Sequence, residues 1–178
     1  MPDAELHSAL IVAVPEAASA VDMWRERTCY AKPSSGVPPH VTVLYPFFAP
    51  DALDEALVAE LRELFAALQR FAFELRTTAR FRQVLYLKPE PPEPFVRLTE
   101  AVSAAYPDHL PYEGAFDSVV PHLTTAEGDA EVLAEAEKDV LQWLPIVAEA
   151  HEVLLAEEVE PDSARWRTRA SLRLGRSA

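Results

Sequence analysis

Cysteine, glycine and positive charge are all scarce in this chain. Cys29 is the single cysteine, and glycine occurs 4 times in 178 residues. One cysteine cannot form a disulfide within the chain, which fits a reducing cytoplasm. Because glycine is scarce and proline occurs 16 times, we expect the turns to be built largely from proline and polar residues.

Long apolar runs are missing as well. The longest one, residues 9–14, is far too short to span a bilayer. No basic stretch followed by an apolar stretch opens the chain, so export is not expected. Together these features predict a cytoplasmic protein that has no membrane partner.

The charge balance excludes one class of function. Lysine and arginine number 16 against 29 aspartates and glutamates, for a net charge of −13. A protein that grips long nucleic acid needs a broad basic surface against the phosphates, so that class is not expected. Residues 165–176, however, hold five arginines and no acidic residue. A small or locally gripped anionic ligand therefore stays possible.

Hydrophobic periodicity predicts a mixture of strands and helices. Asp51 is the predicted N-cap of the clearest helix. Residues 146–159 and 165–174 are predicted to pair as a hairpin around the turn Pro161-Asp162-Ser163, although alanine and glutamate leave a helix open for the first segment. The predicted strands are 6–14, 40–45, 71–77, 84–87, 118–125, 146–159 and 165–174, and the predicted helices are 16–27, 51–68, about 95–105 and 129–144.

The element order contains a repeat built around a four-residue motif. Pro-His-apolar-Thr occurs at residues 39–42 and again at residues 121–124. Each copy follows a strand, a Pro-Glu pair, a helix and a loop, and each precedes a helix that opens with aspartate. Such a duplication suggests two similar lobes that face one another. We expect both lobes to belong to one domain covering residues 1–178.

The chemistry of the motif points to phosphate. Residues i and i+2 of a strand share a face, so His40 lies beside Thr42, and His122 beside Thr124. An imidazole titrates near neutrality, with an ordinary pKa of ~6.5, so one histidine can accept a proton while the other donates one. The two hydroxyls can donate hydrogen bonds to an anionic oxygen held between them. Because cyclic phosphodiesters are strained, no metal is obligatory.

The stretches PHVTVLYPF and PHLTTA resemble the two-histidine (2H) phosphoesterase superfamily, also called the 2'-5' RNA ligase family. The signature of that family is two His-x-Thr/Ser-x motifs, and residues 84–90 (VLYLKPE) resemble the strand that opens its second half. The resemblance implies an α+β fold that is bilobal and duplicated, with two antiparallel-rich sheets flanked by helices around a central cleft.

The same resemblance implies that His40 and His122 are the catalytic acid and base, and that Thr42 and Thr124 bind phosphate. The chain departs from the family pattern at Thr125, where an apolar residue is usual, and at Glu127, where some relatives carry a basic residue. This departure weakens the case for an extra phosphate on the substrate, and hence for RNA.

The predicted function is a monomeric phosphoesterase that needs neither metal nor cofactor. Its substrate would be a 2',3'-cyclic or 2'-5' phosphodiester in a small nucleotide or at an RNA terminus. Which histidine is the base stays open, because the motifs are nearly symmetric. Two alternatives also stay open: a nucleotide- or RNA-binding module without efficient turnover, and a hydrolase of a non-nucleotide cyclic phosphate. A zinc site assembled from His40, His122 and His109 has no ligand-like spacing in its favour.

Two further groups of residues have both a structural and a functional interpretation. The arginines of residues 165–173 are interpreted as a solvated strand face, with an anion-attracting wall near the cleft as the alternative. Aromatic side chains could stack on a base, but in strands they belong more often to the core. The alternation of residues 40–45 predicts that Tyr45 points away from His40. The aromatic candidates are Tyr45, Phe47, Tyr86 and Tyr112.

Overall fold

The computed structural model describes residues 5–115, 118–161 and 163–176. In these ranges eight strands and four α-helices alternate in the predicted order, and four of the five short 3-10 turns begin with proline. The prediction that proline would build the turns is therefore confirmed. The strands are β1 Ser8–Ala13, β2 His40–Leu44, β3 Phe71–Phe81, β4 Val84–Glu90, β5 Leu123–Glu127, β6 Ile146–Ala150, β7 Glu152–Glu158 and β8 Trp166–Arg173, and the helices are α1 Ala18–Thr28, α2 Glu55–Ala66, α3 Glu93–Ala105 and α4 Ala130–Val140.

The strands form an eight-stranded antiparallel sheet in the order β6-β3-β4-β5-β2-β1-β7-β8. The expected α+β fold, with antiparallel sheets flanked by helices, is confirmed. The two predicted sheets are edge-to-edge halves of this one sheet. They meet where β2 pairs with β5, and the pairing there consists of Val41 opposite Leu123.

The hydrophobic core lies on one face of the sheet, here called the core face. Leu10, Val41 and Leu123 point to it and are packed in one cluster with side chains from all four helices. Two of the helices cross between the halves, because α1 packs on β5 and α3 packs on β2. The opposite face, here called the site face, carries Ala9 and Ile11 from β1. Within the described part of the chain, no helix has the length and apolar character required to cross a membrane.

The beginning of α2 differs from the prediction. Its N-cap is Asp54, whose side chain accepts a hydrogen bond from the Leu57 backbone N–H at 2.8 Å. Asp51 instead belongs to the 3-10 turn Pro50–Ala52, so the predicted N-cap was wrong by three residues. The helix buries Leu57 and Leu61, and Leu53 just before it is buried as well. In α4 the equivalent cap is Asp129, as predicted.

The predicted strand 146–159 is two strands that lie in different halves of the sheet. β6 pairs with β3 at one edge, whereas β7 pairs with β1 and β8, and His151 separates the two. The predicted hairpin is confirmed for β7 and β8, and the helical alternative is wrong. Asp162 of the predicted turn lies outside the described residues, as do Phe116 and Asp117 just before the strand predicted at 118–125. The strand predicted at 118–125 begins only at Leu123.

Candidate active site

The two Pro-His-apolar-Thr motifs meet where β2 and β5 pair. Val41 lies opposite Leu123, and both side chains are fully buried on the core face. Continuing this antiparallel register by one residue in each direction places His40 beside Thr124, and Thr42 beside His122, which immediately precedes β5. All four point to the site face, because side chains alternate along a strand. The histidines thus occupy one diagonal and the threonines the other, and residues on such diagonals are ~7–8 Å apart, with a somewhat shorter distance between their Cβ atoms.

Each motif is followed by a β-bulge. In β2, Thr42 pairs with Ile11 and Leu44 pairs with Leu10, which leaves Val43 as the additional residue. The Val43 carbonyl accepts a hydrogen bond of 2.8 Å from the buried hydroxyl of Thr99 in α3. A bulge shifts the alternation by one residue. As a result, Leu44 returns to the core face.

The bulge in β5 stands at the matching position. Thr124 pairs with Tyr86 and Ala126 pairs with Leu85, so Thr125 is the additional residue. The Thr125 side chain is fully buried, and its hydroxyl donates to the Leu123 carbonyl at 3.4 Å. Thr125 therefore has the same place as the buried Val43. The hydroxyl of this unusual residue is therefore bonded to the backbone of its own strand.

The first bulge also overturns the predicted direction of Tyr45. The unbroken alternation expected for residues 40–45 would place Tyr45 away from His40. Because Val43 is a bulge residue, Tyr45 points to the site face and packs there with Ala9 and Ile11. Its ring also lies 6.2 Å from the ring of Trp166. Tyr45 therefore lies on the same face of the sheet as His40.

Both imidazoles are oriented by the same kind of hydrogen bond. The Nδ1 atoms of His40 and His122 each lie 2.8 Å from a backbone carbonyl two residues earlier, that of Pro38 and that of Val120. A carbonyl only accepts, so each Nδ1 carries the hydrogen, and the neutral ring has its lone pair on Nε2. Each ring is thus fixed in the tautomer that a proton acceptor at Nε2 needs.

The surroundings of the two rings differ. Burial lowers the pKa of His40 to about 4, and the nearby positive charges of Arg25 and His122 act in the same direction. The hydrogen bond to Pro38 opposes this shift without cancelling it. His40 is therefore neutral at pH 7. His122 has the ring of Tyr86 at 5.5 Å in an edge-on arrangement.

Tyr112 is a site residue whose contact with a motif could not be seen in the sequence. Its phenol hydrogen-bonds with the Thr42 side chain, and its backbone N–H donates to the Tyr45 carbonyl at 2.7 Å. Tyr112 and Glu113 both have left-handed backbones, with φ of 50° and 55°. Such strain in non-glycine residues persists only where the surroundings enforce it. Burial raises the pKa of Tyr112, so the phenol stays protonated and able to donate.

The other candidate residues lie away from the motifs. Arg167 donates to Glu157, and Arg169 donates to the Leu53 carbonyl at 3.0 Å. Glu157 lies opposite Ser8 in the sheet, and Ser8 is on the core face with Leu10. The acceptor of Arg167 is therefore not on the site face, and these arginines do not form an anion-attracting wall beside His40. Phe47 is buried in the main core. The carboxyl group of Glu127 hydrogen-bonds with the thiol of Cys29 at the end of α1. Burial raises the pKa of Glu127.

A cavity of about 780 Å³ lies beside the motif site without including it. Its lining contains no motif residue and carries four acidic side chains, so it suits a phosphate poorly. His109 lines this cavity and packs on Phe48 with the ring centroids 4.0 Å apart. Over the described residues, no three side chains of the metal-ligating kinds lie close enough together to hold an ion. The acidic lining residues are Glu5, Asp51, Asp108 and Glu113.

Comparison with known proteins identifies the family. The model of the 2'-5' RNA ligase superfamily matches residues 13–162. A candidate phosphoesterase of Bacillus licheniformis is 30% identical over 122 residues, which are 67% of this chain and 68% of the relative. The residues matched by the family model include both motifs at the centre of the sheet.

Solved structures show the same fold at low sequence identity. TT0787 of Thermus thermophilus superposes with a TM-score of 0.62 at 22% identity, covering 94% of this chain and 97% of that protein. Escherichia coli LigT in complex with NADP+ has a TM-score of 0.57 at 17% identity, covering 96% and 98%. LigT has also been solved with 3'-AMP and with ATP. The matched family model, the Bacillus relative and the two-motif sheet together show that the chain belongs to the 2'-5' RNA ligase superfamily, the two-histidine phosphoesterases.

Proposed function

We propose that this protein is a phosphoesterase that hydrolyses a 2',3'-cyclic phosphodiester, or a related 2'-5' linkage, in a nucleotide or at an RNA end. The observation that carries the proposal is the pairing of Val41 with Leu123. It interleaves two imidazoles with two hydroxyls on one face of the sheet, and each imidazole is held through Nδ1. His40 and His122 are the proposed acid and base, and Thr42 and Thr124 the proposed phosphate-binding residues.

The proposed reaction needs one proton acceptor and one proton donor. One imidazole takes a proton from water through Nε2 while the water oxygen bonds to phosphorus. The bond between phosphorus and one ribose oxygen breaks, and the second imidazole gives its proton to that oxygen. The hydroxyls of Thr42 and Thr124 donate to the non-bridging oxygens, whose negative charge grows in the transition state. A cyclic phosphate and water thereby give a phosphate monoester, and no proton is gained or lost overall.

Three observations favour a small nucleotide substrate. The net charge of −13 is unfavourable for binding a long polyanion. The relative LigT, which shares the fold, has been solved with 3'-AMP, NADP+ and ATP. Tyr86 beside His122, and Tyr45 on the same face as His40, offer rings on which a base could stack.

The test offers the purified protein 2',3'-cyclic nucleotides, a 2'-5'-linked dinucleotide and a short RNA with a 2',3'-cyclic phosphate end, each with and without a chelator. We expect turnover of at least one of them, unchanged by the chelator and lost in His40→Ala and in His122→Ala. Activity that survives both substitutions would contradict the mechanism. Tight binding without turnover would favour a binding module, and activity lost with the chelator would favour a metal site.

A further inference from the structure

A buried cation lies directly behind the first motif. Arg25 of α1 is 2% exposed, and its Nη1 donates to the Asp22 carboxylate at 2.8 Å. Its Nη2 donates to three backbone carbonyls, those of Ala31 and Val37 at 2.9 Å and that of Pro38 at 3.2 Å. A buried charge is costly unless it is paired and fully hydrogen-bonded. The carbonyls that the guanidinium contacts therefore all belong to the loop of residues 31–38, which leads into His40.

We propose that Arg25 is a positioning residue for His40, whose ring it orients through the Pro38 carbonyl and whose protonation its positive charge opposes. The Pro38 oxygen accepts from Arg25 and from Nδ1 of His40 at the same time. Because both donors share one acceptor, the position of the guanidinium sets the orientation of the imidazole.

The loop that Arg25 holds is fixed at other points as well. The carboxylate of Glu26 accepts from the backbone N–H and the hydroxyl of Ser34 at 2.9 and 2.5 Å. Gly36 has a left-handed backbone, with φ of 86°, and a Cβ there would collide with the Trp166 carbonyl oxygen. With its far side fixed, the loop cannot follow a displaced guanidinium, so the three carbonyls remain aimed at the position that Arg25 occupies.

Burial and, in the same direction, the charge of Arg25 separate the roles of the two histidines. The charged groups that act on His40 are Arg25, which is hydrogen-bonded to Asp22, and His122, on the other side of the pairing between β2 and β5. Both Arg25 and a protonated His122 disfavour a positive charge on His40. The inference, which rests on the proposed function, is that His40 accepts the proton of the attacking water and that His122 protonates the leaving oxygen.

The second motif lacks the matching contact among the described residues. The carbonyl that orients His122 belongs to Val120, which is 55% exposed, and the side-chain hydrogen bond to that oxygen comes from His122 itself. Both motifs therefore have the hydrogen bond from histidine to a backbone carbonyl, and the buried cation stands behind the first motif.

The test measures the protonation of His40 by NMR in the substrate-free protein, with the imidazole carbons labelled. We expect Arg25→Met to raise the pKa of His40 by about one unit or more, since a like charge within reach shifts a pKa by about that amount. Arg25→Lys, which keeps the charge, should shift it less. Arg27→Met is the matched control, because Arg27 lies on the same helix but is exposed and contacts Trp24.

A second variant guards against a failure of Arg25→Met to fold. Asp22→Asn leaves the guanidinium in place without its carboxylate, so the pKa of His40 should fall further. A folded Arg25→Met protein in which His40 titrates as before would overturn the proposal, as would an Asp22→Asn protein in which it rises. Neither measurement uses a substrate, so a failure of the proposed function leaves this result intact.

Kinetics then test the assignment of roles. With a 2',3'-cyclic nucleotide, we expect Arg25→Met to lower kcat by about tenfold to a hundredfold with little change in KM, because a misaligned base affects the chemical step more than binding. The acidic limb of the pH profile of kcat/KM should shift to higher pH together with the pKa of His40. A limb that stays in place while the pKa of His40 moves would assign the base to His122 and contradict this part of the inference.

Discussion

In the first motif, the carbonyl that orients His40 is also held by the buried guanidinium of Arg25, whereas in the second motif the matching carbonyl belongs to exposed Val120. The two strands are otherwise closely alike. Each has a proline, a histidine bonded through Nδ1, a buried apolar residue, a threonine and then a bulge. A duplication can thus reproduce donors and acceptors faithfully while the preceding loops diverge.

This difference shows where a symmetric site obtains its direction. Proton transfer needs one acceptor and one donor, and two identical imidazoles do not specify which is which. The side chains that touch the substrate can stay equivalent if a neighbour outside the strand favours one protonation state. In this chain burial lowers the pKa of His40 most, and the neighbour that acts in the same direction is Arg25, on a helix that packs mainly against the strand of the other motif.

Removing either imidazole should have the largest effect. We expect His40→Ala and His122→Ala each to reduce kcat/KM for a 2',3'-cyclic nucleotide by about 10²–10⁴-fold, the usual contribution of a general acid or base. The double variant should be little worse than the poorer single variant, since both groups serve one step. His151→Ala, at an exposed position, is the control. Losses that simply multiply in the double variant would mean that the motifs act independently.

Acid should destabilise the fold through the first histidine. The pKa of His40 is about 4 in the folded protein, below its unfolded value of ~6.5. The unfolded chain therefore takes up the proton first, and the contribution to stability is complete above about pH 6.5 and lost as the pH falls toward 4. The free energy of unfolding measured in urea should be lower at pH 4 than at pH 7, by up to about 3 kcal/mol because of His40. In His40→Gln that part of the difference should disappear.

The threonines should matter next, and about equally. Thr42→Val and Thr124→Val each remove a donor to the phosphate oxygens while keeping the side-chain volume, and we expect about 10²-fold losses in kcat. Thr125→Val is the matched control, because Thr125 occupies the buried bulge position that Val43 has in the first motif. An equal loss in Thr125→Val would contradict the assigned phosphate contacts.

The smallest expected effect belongs to the Tyr112 phenol. Tyr112→Phe removes its hydrogen bond with Thr42 and should cost about threefold to tenfold in kcat/KM, as expected for one neutral hydrogen bond. In a double-mutant cycle the loss should vanish when Thr42 is already valine. Tyr106→Phe is the control, since the Tyr106 hydroxyl bonds to Glu60 outside the site. An undiminished loss in the Thr42→Val background would show that Tyr112 acts elsewhere.

The sequence was sufficient for features that depend on short-range periodicity. The alternation of a strand placed His40 with Thr42 and His122 with Thr124, and the repeat suggested that the two motifs meet. The same reasoning was wrong for Tyr45, because alternation assumes an unbroken ladder and the bulge at Val43 appears only when β1 is paired with β2. A bulge depends on the partner strand, so residues 40–45 alone could not reveal it.

Long-range contacts explain the other differences. Arg25 is an ordinary charged position in a helical pattern, and it is buried because the loop of residues 31–38 folds over it. Tyr112 reaches Thr42 only through a left-handed turn. The division of residues 146–159 at His151 likewise depends on which strands lie at the two sides of the sheet. Each of these outcomes is decided by residues that are distant in the sequence.

The crossing of the helices has a further consequence for the two motifs. Thr99 of α3 holds the bulge of β2 through the Val43 carbonyl, and Thr28 of α1 accepts from the Glu127 backbone N–H at the end of β5. Each half of the duplication thus braces the histidine strand of its counterpart. Each strand can therefore be loosened by a change in the other half, and a substitution such as Thr99→Val, far along the chain from the first motif, should alter the position of His40.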